Sequence, residues 1–594
     1  MHQPAISDYG FLSDCRSGAL VGRDGSIDWW CPDRFDAPSV LGRLLDPVAG
    51  HWRIAPLAAG RVERAYRPDT LVLRTVHHTP QGIVAVTDAL AAEPGARGHQ
   101  LGMNSPAVLA RVVEGLSGRV RMHLDFAPRP EYGLLTPYLH EQPDGAVLAV
   151  AGPVTLTLRG TGQRLRADGD RVAHTFEVSA GQVVGFDLAY APAYGSPPAR
   201  LDPVTTVEDT ARAWEAYRES HQYAGRYRDQ VRTSATVLTG LTYARSGAVA
   251  AALTTSLPER IGGDRNYDYR FSWLRDFAMT MRALWVAACP DEASRLFAWA
   301  ARSIGRIGDQ PVPVLFGLEG ERDLTEHEVA HLRGYAGSRP VRIGNDAWRQ
   351  QQLDVPGEVI QAVWQLRDYL GETLDVELRE MVLGLAEQVA ATWRRPDRGM
   401  WESRDAERHY LSSKVLCWVG LHRAVQLAPQ LGDRADPRRW AGIRDEIRDT
   451  VLREGWNDRI GAYTGAFGSA ELDASVLFLP VMGFLPATDP RMRSTIESIE
   501  RELSTDDGLV RRWSTDPAGF VLCSFWLVHC LMKAGEPERA RVQFEKVLGH
   551  ANDLGLFAEQ IDLDSGTQLG NMPQALSHIG LINAAWRLTN PTAE

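Results

Sequence analysis

The sequence predicts an N-terminal antiparallel β-sandwich followed by an all-α (α/α)6 barrel. At 594 residues the chain is too long for one ordinary core. Short strand-like segments dominate residues 51–192, and helical periodicity takes over after about residue 235. The helices then alternate between a charged and an apolar type. We therefore expect a sandwich domain over residues 1–203, a helical linker over 204–234 and a barrel over 235–594.

The first half of the chain consists of short, β-branched segments that Gly, Pro and Asp turns separate. The clearest are TLVLRTVHH, GIVAVTDAL, VRMHLDFAP, AVLAVAGPVTLTLRG and VVGFDLAYAP. Many short strands without long helices between them indicate an antiparallel sandwich. The charged amphipathic segment that follows, VTTVEDTARAWEAYRESHQ, predicts the linker helix.

The second half contains roughly twelve predicted helices of two kinds. Three of them begin with Asp-Pro or Glu-Pro and carry a wide charged face, which is typical of helices that face solvent. Others are apolar nearly all round, among them SSKVLCWVGLHRAVQLA, LDASVLFLPVMGF, FVLCSFWLVHCLMKAG and PQALSHIGLINAAWRL. Alternation of the two kinds predicts two concentric rings. An α-solenoid would have similar periodicity, but its units repeat at a fixed length, and these do not.

The loops that enter the apolar helices are chemically unusual. Because the inner helices of such a ring run in one direction, these loops meet at one end of the barrel. In chain order they carry Trp273, Arg275 and Asp276; Asp354 and Glu358; Trp401 and Glu402; Glu471 and Asp473; Arg511, Arg512 and Trp513; Glu559 and Gln560. A carbohydrate site needs acids for the chemistry, charged groups that bind hydroxyls and flat aromatic rings that pack on the apolar faces of sugars. These loops carry all three kinds of residue, so they indicate such a site.

Each of these residues also has a purely structural explanation. Asp276 could complement the dipole of the helix that it precedes. Glu358 resembles an ordinary acid of a first helical turn, and Trp273 could belong to the core. Glu402 could lie in a surface loop, as could other acids of these loops. Convergence of several such loops on one mouth favours the functional interpretation.

Several long segments resemble glycoside hydrolase family 15, the glucoamylase, glucodextranase and trehalase family, in its bacterial and archaeal branch. The N-terminal signature is ISDYGFLSDCRSGALVGRDGSIDWWCPDRFDAPSVLGRLLD, and the barrel blocks include GDRNYDYRFSWLRDFAMT, LCSFWLV and FAEQIDLDSGTQLGNMPQALSHIGLI. The likeness runs along almost the entire chain. It implies a β-sandwich, a linker and a catalytic (α/α)6 barrel, and exo-hydrolysis of α-glucosidic bonds with inversion.

The resemblance also implies roles for individual residues. The general acid of the family falls on Glu402 in GMWESRD, and its general base falls on Glu559 in FAEQID. The pair that holds the hydroxyls of the terminal glucose falls on Arg275 and Asp276. Inverting carboxylates stand roughly 6.5–9.5 Å apart, which leaves room for the attacking water.

Further candidates surround this centre. We expect Trp273, Tyr267 and Trp401 to stack on or wall the sugar ring, with Arg512 and Trp513 beside them. The family usually has Trp where this chain has Tyr267, a change that bears on the leaving-group preference. Trp30, in the aromatic run DWWCPDRFD, could reach across from the sandwich to the leaving-group side, or it could pack between the domains.

We therefore expect an inverting, exo-acting α-glucosidase that releases β-glucose from short α-glucosides. Isomaltose-type sugars and trehalose rank equally as substrates, ahead of malto-oligosaccharides. An inverting glycoside phosphorylase on a similar barrel is the nearest alternative, because phosphate could replace the attacking water and the base that activates it. The other alternative is a noncatalytic sugar-binding protein.

Composition narrows the range of partners. A net charge of -11 argues against a nucleic-acid or anionic-membrane partner. No apolar run approaches the roughly 20 residues of a membrane helix, and the N-terminus lacks a signal-peptide pattern. The six cysteines are scattered without a Cys-x-x-Cys pair, as expected for reduced core residues. We expect a cytoplasmic protein with a small carbohydrate partner, no metal and no cofactor; the sequence does not set its oligomeric state.

Overall fold

The computed structural model describes residues 3–196, 198–219, 223–287, 289–305, 311–367 and 374–591. Fourteen of the described strands lie before residue 193, and the thirteen described α-helices lie after residue 202. The predicted order of an antiparallel β domain followed by a helical domain is therefore confirmed.

The strands of the first domain are β1 (Tyr9–Ser13), β2 (Gly18–Gly22), β3 (Ser26–Cys31), β4 (His51–Pro56), β5 (Arg61–Tyr66), β6 (Leu73–Thr79), β7 (Gly82–Leu90), β8 (Val108–Ala127), β9 (Tyr138–Glu141), β10 (Val147–Ala151), β11 (Val154–Gly160), β12 (Ala167–Asp168), β13 (Arg171–Ser179) and β14 (Val183–Pro192). The five segments predicted from their pattern supply β6, β7, part of β8, β10 with β11, and β14. The predicted strands are thus confirmed.

The long strand β8 joins two antiparallel sheets. Its first half pairs with β7 and β14, in the sheet ordered β5-β6-β7-β8-β14-β11-β10-β9. Its second half pairs with β4 and β13, in the sheet ordered β1-β2-β3-β4-β8-β13-β12. The alternating side chains of β10 and β13 enter the core between the layers, among them Val147, Ala149, Phe176 and Val178.

Strands β1, β2 and β3 are buried at every residue because the barrel covers them. Ser13 Oγ donates to the carbonyl of Gly240 at 2.7 Å, and Trp29 Nε1 donates to the carbonyl of Leu253 at 3.2 Å. Trp30 lies on β3 with none of its surface exposed and lines no part of the site described below. This burial favours the other interpretation of Trp30, packing between the domains.

The α-helices are α1 (Pro203–Glu219), α2 (Arg228–Gly240), α3 (Phe277–Val286), α4 (Pro290–Gly305), α5 (Val355–Leu366), α6 (Val376–Thr392), α7 (Leu411–Leu431), α8 (Pro437–Glu454), α9 (Phe478–Val481), α10 (Pro490–Glu502), α11 (Val521–Lys533), α12 (Pro537–Leu548) and α13 (Ala575–Thr589). The predicted linker helix is α1; its last predicted residues, 220–222, lie outside the described residues. Helix α1 packs on β7, β8 and β14, whereas α2 packs on α13.

Six of the described helices form a closed inner ring. Each contacts the next in the order α3, α5, α7, α9, α11 and α13, and α13 contacts α3 again. Helices α2, α4, α6, α8, α10 and α12 alternate with them along the chain and lie outside. The N-termini of the inner helices all follow the unusual loops noted above, so these loops gather at one end.

Burial separates the two rings as the pattern predicts. In α11 every residue from Val521 to Met532 is buried, whereas α8 buries only Trp440, Ile447 and Val451 on one face. The Asp-Pro starts also supply helix caps: Asp436 accepts from the amide of Arg439 before α8, and Asp489 accepts from the amides of Arg491 and Met492 before α10. Among the described residues, no helix is both long and apolar enough to cross a membrane.

Candidate active site

The six loops that enter the inner helices line one cavity of about 640 Å³. The predicted site residues that line it are Tyr267, Trp273, Arg275, Asp276, Trp401, Glu402, Arg512, Trp513 and Glu559. Residues 267–276 precede α3, 401 and 402 precede α7, 512 and 513 precede α11, and 559 precedes α13. The geometry of the ring therefore brings together side chains that are up to about 290 residues apart.

Glu402 lies on a tight turn with one carboxyl oxygen fully engaged. Trp273 Nε1 and Arg275 Nη2 both donate to Glu402 Oε1, each at 2.7 Å. A proton on this carboxyl group must therefore sit on Oε2. Glu402 also has a positive φ of 54°, a strained conformation for a residue with a side chain. Just before it, the Cβ of any side chain at Gly399 would come within 2.6 Å of the Tyr410 ring.

Glu559 is held in the same manner on the loop before α13. The Tyr269 hydroxyl donates to Glu559 Oε1 at 3.0 Å, and Gln574 Nε2 donates to the same oxygen at 3.1 Å. Gly570 lies so close that an added Cβ would come within 2.9 Å of Oε2. Burial, together with the nearby carboxylate of Glu259, raises the pKa of Glu559 to about 8, against the opposing effects of Arg512 and Tyr269.

One short segment before α3 contacts both carboxyl groups. Tyr269 holds Glu559 and Trp273 holds Glu402, and the two rings meet edge to face with centroids 5.5 Å apart. Both rings are packed within the barrel mouth, so the relative position of the two glutamates depends on this one stretch of backbone.

Arg275 and Asp276 line the cavity beside Glu402. Arg275 Nη1 donates to Gln352 Oε1 at 3.0 Å, which fixes the guanidinium between Gln352 and Glu402. Asp276 occupies the cap position of α3 but makes no capping hydrogen bond, and its Oδ1 is buried without a partner. Burial raises its pKa to about 7, despite the attraction of Arg275. The helix-cap explanation of Asp276 is therefore not supported.

Two further acids lie behind Asp276. Asp354 and Glu358 are both completely buried, and their carboxyl oxygens make no hydrogen bond within the described structure. Burial raises the pKa of Asp354 to about 6 and that of Glu358 well above its usual range. Neither residue lines the cavity that holds Glu402 and Glu559.

Aromatic rings form one wall. Asp473 accepts from Trp401 Nε1 at 2.9 Å and from the amide of Ser475 at 2.8 Å, so it fixes the indole while it caps the turn into α9. The Trp401 ring then packs against Phe520 and Trp526 at centroid distances of 5.3 and 6.4 Å. Such a rigid wall suits the apolar face of a pyranose.

Arg512 is engaged by two acids. Its Nη2 donates to Glu259 Oε2 at 2.5 Å and its Nε donates to Asp516 Oδ2 at 2.7 Å. The guanidinium lies 4.7 Å from the centroid of the Trp513 ring. Arg512 therefore orders the wall beside Glu559 as well as lining the cavity.

Comparisons with known proteins agree with this geometry. Residues 225–541 and 534–586 match the family described as glycosyl hydrolases family 15, and residues 1–197 match the trehalase-like N-terminal family. A trehalase of Mycolicibacterium smegmatis is 36% identical over 98% of this chain and 91% of its own length. The chain belongs to glycoside hydrolase family 15. Like its family, it is a glycoside hydrolase that acts on a carbohydrate.

Other family members extend the likeness. A trehalase of Mycobacterium tuberculosis is 36% identical over 98% of this chain and 89% of its own length, and one of Thermoplasma volcanium is 32% identical over 98% and 94%. The crystal structure of a bacterial glucoamylase complexed with acarbose superposes with a TM-score of 0.74, covering 100% of this chain and 96% of the other at 14% identity. At that identity the superposition confirms the fold of this family 15 hydrolase and nothing more.

Three side chains lie at the inner end of the cavity in this family 15 hydrolase. Met279, Leu522 and Trp526 line both this cavity and a second one at the opposite end of the barrel, so their side chains form a partition between the two. A glycoside can therefore enter the cavity from the loop end. A cavity with a partition at its inner end favours binding of the end of a saccharide over binding of the middle of a polysaccharide.

Sequence reasoning missed four residues that complete the site: Tyr269, Gln574, Glu259 and Asp516. For Tyr269, the sequence does contain a signal. In NYDYR, Tyr267 and Tyr269 alternate with the buried residues Asp268 and Arg270, as in an extended segment that lines a cavity with one face. The sequence carries no comparable signal for the other three.

Proposed function

We propose that this protein is an inverting, exo-acting α-glucosidase that hydrolyses trehalose, with Glu402 as general acid and Glu559 as general base. The observation that carries the proposal is that the two glutamates line one blind cavity, each with Oε1 held by two donors. General acid and base catalysis by two carboxyl groups is the standard route for hydrolysis of a glycosidic bond.

The two free oxygens have complementary tasks in this mechanism. Glu402 Oε2 carries the proton that passes to the departing glycosidic oxygen. Glu559 Oε2 accepts a proton from water as that water attacks the anomeric carbon from the opposite face of the sugar. The C–O bond to the leaving glucose breaks, a C–O bond to water forms, and the attacked glucose leaves with inverted configuration.

Arg275 and Asp276 supply the hydroxyl contacts of the glucosyl unit. The guanidinium is a donor, and the Asp276 Oδ1 is an acceptor that has no hydrogen-bond partner in the described structure, although it lies 4.0 Å from Arg275 Nε. A sugar hydroxyl that donates to Asp276 would satisfy this buried oxygen. A sugar that lacks this hydroxyl would leave it unpaired, which is costly and therefore selective.

Trehalose fits the site for two reasons. Several relatives that align over nearly the whole chain are named trehalases. A cavity of about 640 Å³ is also suited to a small sugar rather than to a polymer. Isomaltose and malto-oligosaccharides share the α-glucosyl unit, so only the leaving-group side of the cavity distinguishes them.

A substrate panel with anomeric analysis tests the proposal. Trehalose, isomaltose, maltose and isomaltotriose are incubated with the protein, and early products are followed by proton NMR. Inversion of trehalose yields one β-glucose from the attacked unit and one α-glucose from the leaving unit. Two α-glucose molecules would indicate retention and contradict the assigned roles, and faster hydrolysis of isomaltose would contradict the substrate.

The same panel with inorganic phosphate separates hydrolysis from phosphorolysis. A hydrolase yields no glucose 1-phosphate at any phosphate concentration. Phosphate-dependent formation of glucose 1-phosphate would establish the phosphorylase alternative, and trehalose binding without turnover would establish the noncatalytic one.

We also propose that the protein works in the cytoplasm. All six cysteines are buried thiols without a disulfide, as expected in a reducing compartment. Fractionation of the native cells, with activity assayed in each fraction, tests this location.

A further inference from the structure

Arg404 lies on the loop that carries Glu402 and lines the same cavity. It stands two residues after Glu402, and the proposed function gives it no task. Its side chain is 44% exposed, whereas those of Arg275 and Asp276 are 10% and 12% exposed. Arg404 therefore lies nearer the loop end of the cavity than the pair proposed to hold the attacked glucose.

An acid outside the cavity holds the Arg404 guanidinium. Arg404 Nη1 donates to Glu326 Oε1 at 3.2 Å and Nη2 donates to Oε2 at 2.6 Å, the two parallel bonds of a bidentate pair. The Glu326 side chain is largely buried and does not line the cavity. This pair fixes the plane of the guanidinium and therefore the directions of its other N–H groups.

An aromatic ring supports the same guanidinium. Arg404 lies 4.6 Å and Arg342 lies 5.2 Å from the centroid of the Tyr267 ring. Arg342 Nε also lies 3.0 Å from Glu326 Oε1, so one acid faces both arginines. Arg342 is anchored further by two backbone carbonyls, whereas Arg404 makes no other hydrogen bond within the described structure. Of the two, Arg404 is the arginine with donors left for a ligand.

The donors of Arg404 can be counted. A guanidinium has five N–H groups, and Glu326 accepts from two of them, which leaves three. Because the side chain is partly exposed, water can reach these groups in the free protein, and the hydroxyl of a ligand can replace that water. The ordinary explanation of Arg404 is an ion pair at the rim, which accounts for its charge but assigns nothing to these three donors.

The position of Glu402 determines which sugar unit Arg404 faces. In the proposed mechanism Glu402 Oε2 protonates the oxygen between the two units. Arg275 and Asp276 hold the attacked unit in the buried part of the cavity, so the leaving unit extends from Glu402 toward the loop end. Arg404 lines that part of the cavity.

We propose that Arg404 binds hydroxyl groups of the leaving glucose and thereby determines the preference for a sugar as leaving group. Fixed, coplanar N–H groups suit two adjacent hydroxyls of a pyranose, and the bidentate pair with Glu326 orients them before the substrate arrives. This role rests on the proposed function and deepens it. A leaving group without hydroxyls gains nothing from Arg404.

Kinetics with two substrates test the role of Arg404. Trehalose has a sugar leaving group, whereas α-glucosyl fluoride has the same attacked unit and a leaving group without hydroxyls. In Arg404→Gln we expect kcat/KM for trehalose to fall roughly ten- to hundredfold and kcat/KM for α-glucosyl fluoride to stay within about twofold. The basic limb of the kcat profile for trehalose follows the loss of the proton from Glu402 and should not move.

Two further variants support the comparison. Arg349 lies 4.9 Å from the centroid of the Trp348 ring and 3.9 Å from Asp346, but it does not line the cavity. Arg349→Gln is therefore the matched control and should leave both substrates unaffected. Arg404→Lys keeps the charge beside Glu326, so it keeps the test open if Arg404→Gln does not fold, and its loss of the planar fork should lower kcat/KM severalfold for trehalose alone.

The outcomes that overturn this role differ from those that overturn the proposed function. Equal losses on both substrates, unchanged trehalose kinetics in every folded Arg404 variant, or a shifted basic limb would refute the role while the wild type still hydrolyses trehalose. If the wild type prefers isomaltose, isomaltose replaces trehalose in the comparison, which needs only a sugar leaving group. A wild type that turns over no disaccharide would refute the proposed function, and the role of Arg404 with it.

Discussion

Glu402 and Glu559 are held in matching ways at the residue scale. Two donors occupy Oε1 of each carboxyl group, and Oε2 of each is left for the reaction. Such double anchoring fixes the side chains and leaves Oε2 of each available for the proposed acid and base roles. The strained φ of Glu402 is a cost that the surrounding loops must offset.

Replacement of either glutamate by glutamine should abolish most of the turnover. Glu402→Gln cannot protonate the leaving oxygen and Glu559→Gln cannot activate water, so kcat should fall roughly 10²–10⁴-fold in each. Circular dichroism should show that both variants are folded. Glu454→Gln, at the exposed end of α8, is the control. Near-normal kcat in either active-site variant would contradict its assigned role.

Tyr269→Phe should move the acid limb of the kcat/KM profile to higher pH. The Tyr269 hydroxyl donates to Glu559 and favours its ionised form, against the burial that raises its pKa to about 8. Without this donor the pKa of Glu559 rises further, and the ionised base is present only at higher pH. Tyr267→Phe, on the same segment but without contact to Glu559, is the control. A limb that stays in place or moves to lower pH would be inconsistent with this role.

Asp276→Ala should impair catalysis without the stability loss of a missing helix cap. Loss of a hydrogen bond to a charged group costs about 1.5–3 kcal/mol, so kcat/KM for trehalose should fall at least about tenfold. An N-cap deletion would instead cost about 0.5–2 kcal/mol of folding free energy. Steady-state kinetics and thermal unfolding on the same samples distinguish the two; a lower melting temperature with normal kinetics would restore the helix-cap explanation.

The stability of Asp276→Ala should also depend on pH in a defined direction. The folded-state pKa of Asp276 is raised from 3.8 to about 7. Its stabilising contribution is therefore complete at low pH and is lost as pH rises through 7. The difference in free energy of unfolding, Asp276→Ala minus wild type, should therefore be more positive at pH 8 than at pH 5.

The sequence could place Glu402, Glu559, Arg275 and Asp276 at one mouth, because inner helices that share a direction must share an end. It could not predict the hydrogen bonds that hold them. Tyr269 and Glu559 are 290 residues apart, and their contact depends on how two loops meet in space. The catalytic roles stay predictions until the variants above are measured.

At the scale of elements, the period of the apolar residues determined which helices lie inside. Helices α7, α11 and α13 lack a polar face and therefore had to be covered on every side. Strands β1, β2 and β3 were not predicted individually for a related reason. Because they are buried on both faces, their sequence shows no alternation of polar and apolar residues.

The caps of the outer helices should contribute to stability but not to catalysis. Asp436→Ala and Asp489→Ala should each lower the free energy of unfolding by about 0.5–2 kcal/mol, because each side chain caps its helix. Glu536→Ala before α12 is the matched comparison, since Glu536 makes no capping bond. Denaturant unfolding and trehalose kinetics provide the measurements, and an equal loss in all three variants would refute the role of the caps.

At the scale of the whole molecule, the sandwich packs directly against the barrel through buried hydrogen bonds and an ion pair. Arg64 has a fully buried side chain and donates to Asp553 at 2.5 Å, and Asn552 Nδ2 donates to the carbonyls of Ser7 and Tyr9 at 3.1 and 3.0 Å. Since α1 packs on the strands and α2 on the barrel, we propose that the domain boundary lies between these two helices.

The two domains should therefore unfold together. Removal of the barrel would expose the faces of β1, β2 and β3 that it now covers, and it would leave the buried Arg64 side chain without its partner Asp553. Scanning calorimetry should show one transition, with the loss of activity at the same midpoint. Two resolved transitions would mean that the interface contributes little.

The partition formed by Met279, Leu522 and Trp526 also dictates how products depart. If the protein hydrolyses trehalose as proposed, both glucose molecules leave through the loop end by which the disaccharide enters. The glucose unit nearest the partition can leave only after the other unit has diffused away, so product release is ordered. Free glucose also competes with the substrate for the position nearest the partition. Under the proposed function, we therefore expect glucose to act as a product inhibitor.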